Sequence, residues 1–217
     1  GPGGLGVVRD DKTYPTTWNG STGENILWQT PVPISGHNSP VVWDNIIFCS
    51  GATEAKQEVY AFDAATGELI WQREVRVPKR ADVEPPDVLD ETGHAAPTVA
   101  TDGLRVYAIF ATGDVAAFDF TGKPLWAKNI NRPDNHYGHA SSLTTHKDML
   151  IVQFDQGQED DDQSKLYALD GATGKAVWEH QRASMMSWTS PISFESAVKR
   201  QLVTTAEPWA FSNDPDT

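Results

Sequence analysis

The chain has 217 residues, 39% hydrophobic and 22% charged, with 17 Gly and 14 Pro, a globular composition suited to many short elements joined by tight turns. Asp and Glu outnumber Lys and Arg 30 to 17, giving a formal net charge of −13; this argues against nucleic acid and anionic membrane surfaces as partners, because both need cations to replace counterions. No run of about 18 apolar residues could span a membrane as a helix, and the lone cysteine, Cys49, leaves no intrachain disulfide.

Taken in chain order, the sequence is a repeat. A faint copy opens it, Trp18-Asn19-Gly20-Ser21-Thr22-Gly23 running to Trp28. A full copy reads Val59-Tyr60-Ala61-Phe62-Asp63, then Thr66-Gly67, then Trp71. A second reads Val115-Ala116-Ala117-Phe118-Asp119, then Thr121-Gly122, then Trp126, and a third reads Leu166-Tyr167-Ala168-Leu169-Asp170, then Thr173-Gly174, then Trp178. Between them lies a second motif: Gly36-His37-Asn38-Ser39-Pro40, Gly93-His94-Ala95-Ala96-Pro97, Gly138-His139-Ala140-Ser141-Ser142 and Ser187-Trp188-Thr189-Ser190-Pro191. The two motifs alternate with a period of about 45 to 57 residues, near that of four-stranded propeller blades.

The chemistry of one unit follows from its residues. Alternation before each Asp is strand-like. Asp, Thr and Gly then supply a turn, through side chains that bond backbone N–H groups and a glycine free to take positive φ. The strand after the turn ends in Trp, so each copy is a hairpin, and a hairpin alone is marginal in water. Trp71, Trp126 and Trp178 are therefore expected in the seams between neighbouring sheets, each contributing at least about 2 kcal/mol by burial. The expected fold is all-β: a partial β-propeller over residues 1–217 with four-stranded antiparallel blades. Its units are an N-terminal segment with a closing strand (1–34), blades at 35–77, 93–131 and 138–182, an insertion loop at 78–92, and the start of a further blade at 187–217. The strands expected are 39–43, 45–50, 58–63 and 68–74, then 96–100, 105–111, 115–119 and 124–129, then 141–145, 149–155, 165–170 and 176–180. Cys49, in the run Ile46-Ile47-Phe48-Cys49, reads as a buried small hydrophobe.

The alternating motifs resemble the PQQ-like (pyrroloquinoline-quinone-like) repeat family of β-propellers, and the resemblance covers nearly the whole chain from Trp18 onward. Such rings close with about seven or eight blades, which implies that roughly half a ring is present here, as a fragment or as a half-ring able to associate with a second copy. The opening Gly1-Pro2-Gly3-Gly4-Leu5-Gly6 is similar to the start of mature exported members, implying a periplasmic or cell-surface location. The family holds both non-catalytic BamB-like scaffolds and quinoprotein dehydrogenases. The first implies a protein or polymer partner at a propeller face and no cofactor. The second implies oxidation of an alcohol or sugar with PQQ and calcium.

Several residues invite a functional reading. His37, His94 and His139, with Trp188 in the fourth place, are expected to ring one mouth of the channel, where imidazoles could serve a ligand or metal or could bond loop backbone. The run Asp160-Asp161-Asp162 offers oxygen ligands for calcium, or a solvated loop. Ser39, Ser141, Ser142 and Ser190 have His neighbours in sequence, but no Gly-x-Ser-x-Gly elbow accompanies them. Asp63, Asp119 and Asp170 are explained by their turns, so no catalytic set is assigned.

Overall fold

The computed structural model describes residues 14–78 and 86–217. The described residues form fifteen strands in four antiparallel sheets, each a simple meander. The first blade is β1 (Val41–Trp43), β2 (Ile46–Ala52), β3 (Gln57–Asp63) and β4 (Leu69–Glu74). The second is β5 (Ala100–Thr101), β6 (Arg105–Ile109), β7 (Asp114–Asp119) and β8 (Pro124–Asn129). The third is β9 (Thr144–His146), β10 (Met149–Phe154), β11 (Lys165–Asp170) and β12 (Ala176–Gln181), and the fourth has only β13 (Ile192–Glu195), β14 (Arg200–Ala206) and β15 (Trp209–Asn213). Among the described residues no helix is long and apolar enough to cross a membrane.

The middle strands of the first two blades bury both faces, which is why runs such as Val106-Tyr107-Ala108-Ile109 are apolar throughout rather than strictly alternating. Val106 and Ala108 join Phe48, Ala61 and Trp71 between the first two blades. Tyr107 and Ile109 join Leu150, Val152 and Phe154 in the next seam. The third seam is smaller, with Ile151, Leu166, Ala168 and Leu202 at its centre, and polar groups complete it. Cys49 is part-buried in β2, and burial pushes its thiol up to about 11.

The turns are built as their residues require. Asp63 Oδ1 accepts the N–H groups of Ala65 and Thr66 at 2.8 and 2.9 Å, and Asp119 and Asp170 accept from Thr121 and Thr173 in the same way. These bonds, led by the Thr66 amide for Asp63 and by the Thr hydroxyls for the other two, hold all three carboxyls below the usual range. The glycine of each turn has a second duty. Trp71 donates its Nε1–H to Phe120 O at 2.9 Å and lays its ring on Gly122, where an added Cβ would sit 2.8 Å from the indole. Trp126 does the same with Gly171 O and Gly174, and Trp28 with Ala64 O and Gly67. The tryptophan of one blade thus caps the turn of the next. Gly122→Ala is expected to destabilise by about 2 kcal/mol or more, since φ is +81° and the ring leaves no room; urea unfolding of that variant beside Gly20→Ala, where an added Cβ meets nothing, measures it.

Trp71 is 5% exposed, and Trp126 and Trp178 are half-buried, packed against the clusters of the second and third seams. One expectation is corrected. The innermost strands start later than 39, 96 and 141, because the preceding residues bond across to the neighbouring blade instead of within their own. Ser39 N–H donates to Thr98 Oγ1 at 3.1 Å, Thr98 N–H to Ser142 Oγ at 3.1 Å, and Ser142 N–H to Ser190 Oγ at 3.0 Å. In the N-terminal segment, the described residues 14–34 are paired into no sheet and carry the isolated bridge Asn19–Glu24. Of the insertion loop at 78–92, residues 79–85 lie outside the described residues, and 86–92 hold no strand.

Candidate functional site

The second motif sits where the inner segments begin, beside the loops that follow β2, β6 and β10. His37 N–H donates to Ala95 O, Ala111 N–H to His94 O, and His139 N–H to Ala111 O, at 3.0, 3.1 and 2.9 Å. The His37 and His139 bonds tie the first and third blades to the second, while the His94 bond lies within the second. Its side chains do not converge. His37 is exposed, His94 is half-buried with Nδ1 unpartnered, and His139 is buried. Among the described residues no three His, Cys, Asp or Glu side chains are gathered as a metal site.

His139 is held as a neutral imidazole. Its ring stacks on Phe154 at 5.2 Å and its Nε2 lies 2.9 Å from Ser141 O, which can only accept, so Nε2 carries the proton. Burial pulls its pKa down to about 4, although the Ser141 carbonyl acts the other way. An unfolded histidine titrates near 6.5, so between pH 6.5 and 4 the unfolded chain binds the extra proton and stability falls with pH; above 6.5 this contribution is constant. The loss across that window is about 3 kcal/mol. Urea unfolding at pH 7 and pH 4.5 is expected to show a smaller difference for His139→Phe than for the parent chain.

Trp188 stands apart from the histidines. It is 47% exposed, meets Tyr137 edge-on at 5.0 Å, and donates Nε1–H to Asn135 Oδ1 at 3.3 Å. Asn135 in turn lines an open cleft of about 300 Å³ formed by residues 86–89 and 132–136, including Leu89, Arg132 and His136. The expectation of four equivalent residues ringing a mouth thus resolves into three stitched histidines and one exposed aromatic beside a cleft.

Other candidates have structural partners. Asp160 and Asp161 lie in a short 3-10 turn, Glu159–Asp161; Asp161 accepts the Gln158 N–H at 2.7 Å, and Asp162, at φ +50°, closes the turn. The three carboxylates are not directed at one point as a calcium loop needs. Two carboxylates that sequence reading passed over are buried near the motif. Glu58 accepts from the Tyr60 hydroxyl and the Gln72 amide, both at 2.7 Å, and from Lys56. Burial pushes its carboxyl up, but those three bonds outweigh it and hold it below the usual range. Asp155 accepts Arg182 Nε–H at 2.7 Å, Ser187 Oγ–H at 2.6 Å and Gln153 Nε2–H at 2.7 Å, while Arg182 reaches Thr204 of the fourth blade and lies 4.9 Å from the Phe211 ring. This cluster fills the third seam. Neither residue stands out in the sequence: Asp155 just follows β10 and Arg182 just follows β12, both among polar neighbours. The donor chemistry bears on a quinone and its calcium: among the described residues the buried carboxylates are already saturated by protein donors, so they do not fit that group.

The fourth turn was also missed. Asp214 Oδ1 accepts the Asp216 N–H at 3.1 Å, as Asp63 accepts from Ala65, and Trp178 donates to Pro215 O at 3.3 Å. Asp214-Pro215-Asp216-Thr217 repeats Asp63-Ala64-Ala65-Thr66, a likeness hidden because Asn213 stands where the other copies have an apolar residue.

Comparison with known proteins agrees with this architecture. A family model described as outer membrane protein assembly factor BamB matches residues 1–137 and 87–207. The assembly factor BamB of Alkalilimnicola ehrlichii is 29% identical over 161 residues, covering 73% of this chain and 36% of that protein. The quinoprotein ethanol dehydrogenase of Pseudomonas putida is 29% identical over 185 residues, covering 80% and 27%. The crystal structure of BamB from Moraxella catarrhalis superposes with a TM-score of 0.52 at 19% identity, over 81% of this chain and 48% of that one. The chain therefore spans about a third of the length of these curated relatives.

Proposed function

Since the chain belongs to the family of outer membrane protein assembly factor BamB, we propose that it is part of a non-catalytic propeller scaffold that holds a protein partner at one blade face, in the cell envelope. The observation that carries the reading is the use made of the repeated polar residues. The turn aspartates bind their own turns, the histidine motif ties blade to blade, and the hydroxyls of Thr98, Ser142 and Ser190 bond neighbouring amides. Beside a cleft stands an exposed aromatic, Trp188, against Tyr137 and near Asn135, Leu89 and Arg132. An exposed Trp backed by a half-buried Tyr beside a polar rim suits protein recognition, where such rings anchor contacts.

A second reading, a quinone-dependent dehydrogenase, is favoured by one finding, the 29% identity over 80% of the chain to a quinoprotein ethanol dehydrogenase. The two readings part in one experiment. Addition of calcium and pyrroloquinoline quinone is expected to leave the melting temperature unmoved and to give no dye-linked oxidation of ethanol. A rise in melting temperature with turnover would establish the dehydrogenase instead, because a ligand specific to the native state stabilises it. The scaffold reading also expects a labelled outer-membrane β-barrel polypeptide, diluted from urea, to bind the parent chain about tenfold more tightly than Trp188→Ala. Equal binding, or none, would count against this face.

A further inference from the structure

The repeated turns share one plan, but the first of them uses a different residue for it. Asn19 stands where Asp63, Asp119 and Asp170 stand in the complete copies, and Gly20 follows it. Asn19 Oδ1 accepts the Ser21 and Thr22 N–H groups at 2.9 and 3.1 Å, as Asp63 Oδ1 accepts from Ala65 and Thr66. Two donors therefore polarise its amide carbon and stand where negative charge would develop on addition to it. Among the described residues neither Asn19 Nδ2 nor the Gly20 N–H has a hydrogen-bond partner. Both residues are exposed, and a Cβ added at Gly20 would meet nothing within 4 Å.

Asn or Asp precedes Gly or Ser at three further places, and each of these is locked. Asn38 donates Nδ2–H to Ser50 O and Ala95 O at 2.8 and 2.9 Å, and the Ser39 N–H goes to Thr98 Oγ1 at 3.1 Å. The Gly103 N–H donates to Thr101 Oγ1 at 3.1 Å, while Asp102 Oδ1 accepts the Leu104 and Arg105 amides at 2.9 and 2.7 Å. The Gly171 N–H donates to Asp148 O at 2.7 Å.

We propose that Asn19-Gly20 is a site of spontaneous covalent modification, at which Asn19 loses its side-chain amide while the chain stays folded. The Gly20 nitrogen gives its proton to base and attacks Asn19 Cγ. The N–Cγ bond forms, the Cγ–Nδ2 bond breaks, and Nδ2 leaves as ammonia. Water then opens the five-membered imide at one of its two carbonyls, giving aspartate or isoaspartate. The attack is intramolecular, and glycine neither hinders it nor restricts the backbone rotation it needs. The two products act oppositely on the turn. Aspartate restores the residue of the other copies and adds a negative charge that strengthens the bonds from the Ser21 and Thr22 amides. Isoaspartate adds a methylene to the main chain and turns the Asn19 carbonyl, which accepts the Gly23 N–H at 2.9 Å, into a free carboxylate. The bridge Asn19–Glu24 then loses its register.

Peptide mapping by mass spectrometry, after the folded chain is held in mildly alkaline buffer, is expected to show a gain of one mass unit at Asn19 before any other asparagine. The product should separate into two chromatographic forms, and Asn38 should be unchanged. In urea, where the locks are gone, both Asn19 and Asn38 should convert. Gly20→Ala, which adds a methyl in open space, is expected to slow conversion at least about tenfold, and Asn19→Asp to show no gain. Asn19 left intact in the folded chain overturns the proposal, since the turn would then shield it. Conversion of Asn38 alongside Asn19 in the folded chain overturns it too, since hydrogen bonding of the following amide would then not decide the site.

Discussion

Replacement of Trp71 by alanine is expected to lower the stability of the chain by about 3–5 kcal/mol, measured by urea unfolding followed by circular dichroism. The ring is almost wholly buried, in contact with Phe48 and Phe118 at centroid distances of 6.0 Å each. Truncation therefore opens a cavity in the seam that joins the first two blades. It also leaves Phe120 O without its donor and uncovers the Gly122 turn. Trp71→Phe keeps much of the apolar volume while losing the N–H, and should fall between the parent and alanine. The same truncation at Trp126, half-buried at the rim, is expected to cost less, about 2 kcal/mol. Equal losses at the two sites would show that both rings are buried to the same depth. A loss below about 1 kcal/mol at Trp71 would remove the seam as the source of stability between blades.

Asp155→Ala is expected to cost a similar amount, about 3–5 kcal/mol, for a different reason. The mutation leaves the Arg182 guanidinium buried with only Thr204 and the Phe211 ring for company. It also strips Gln153 and Ser187 of a shared acceptor, and Gln153 Oε1 is already buried without a partner. Replacing both charges, Asp155→Leu with Arg182→Met, is expected to recover most of the loss, because the pair's attraction only offsets the cost of removing two ions from water. Equilibrium unfolding of the single and double variants separates the two terms. If the single variant lost less than 1 kcal/mol, water would have to reach the guanidinium, and the third seam would be open rather than closed by this cluster.

The contrast between these two experiments marks the limit of reading the chain as a string. Trp71, Gly122 and Asp119 were legible because a repeat states the same local solution several times, and the turn chemistry of Asp, Thr and Gly is decided within a few residues. Blade number, strand order and the seam position of the tryptophans follow from that local grammar. The fourth turn at Asp214 escaped because one residue of the pattern, Asn213, departs from it, although its hydrogen bonds are those of the other copies.

The sequence by itself determined a four-stranded blade, its turn and its tryptophan, because those depend on neighbours along the chain. Only the tertiary structure decided that His139 is a neutral buried ring, that the inner segments bond outward to the next blade, and that Asp155 and Arg182 meet across 27 residues. Each of these depends on what lies on the far side of a seam. In a propeller that surface belongs to another repeat, at a distance along the chain that no local pattern encodes.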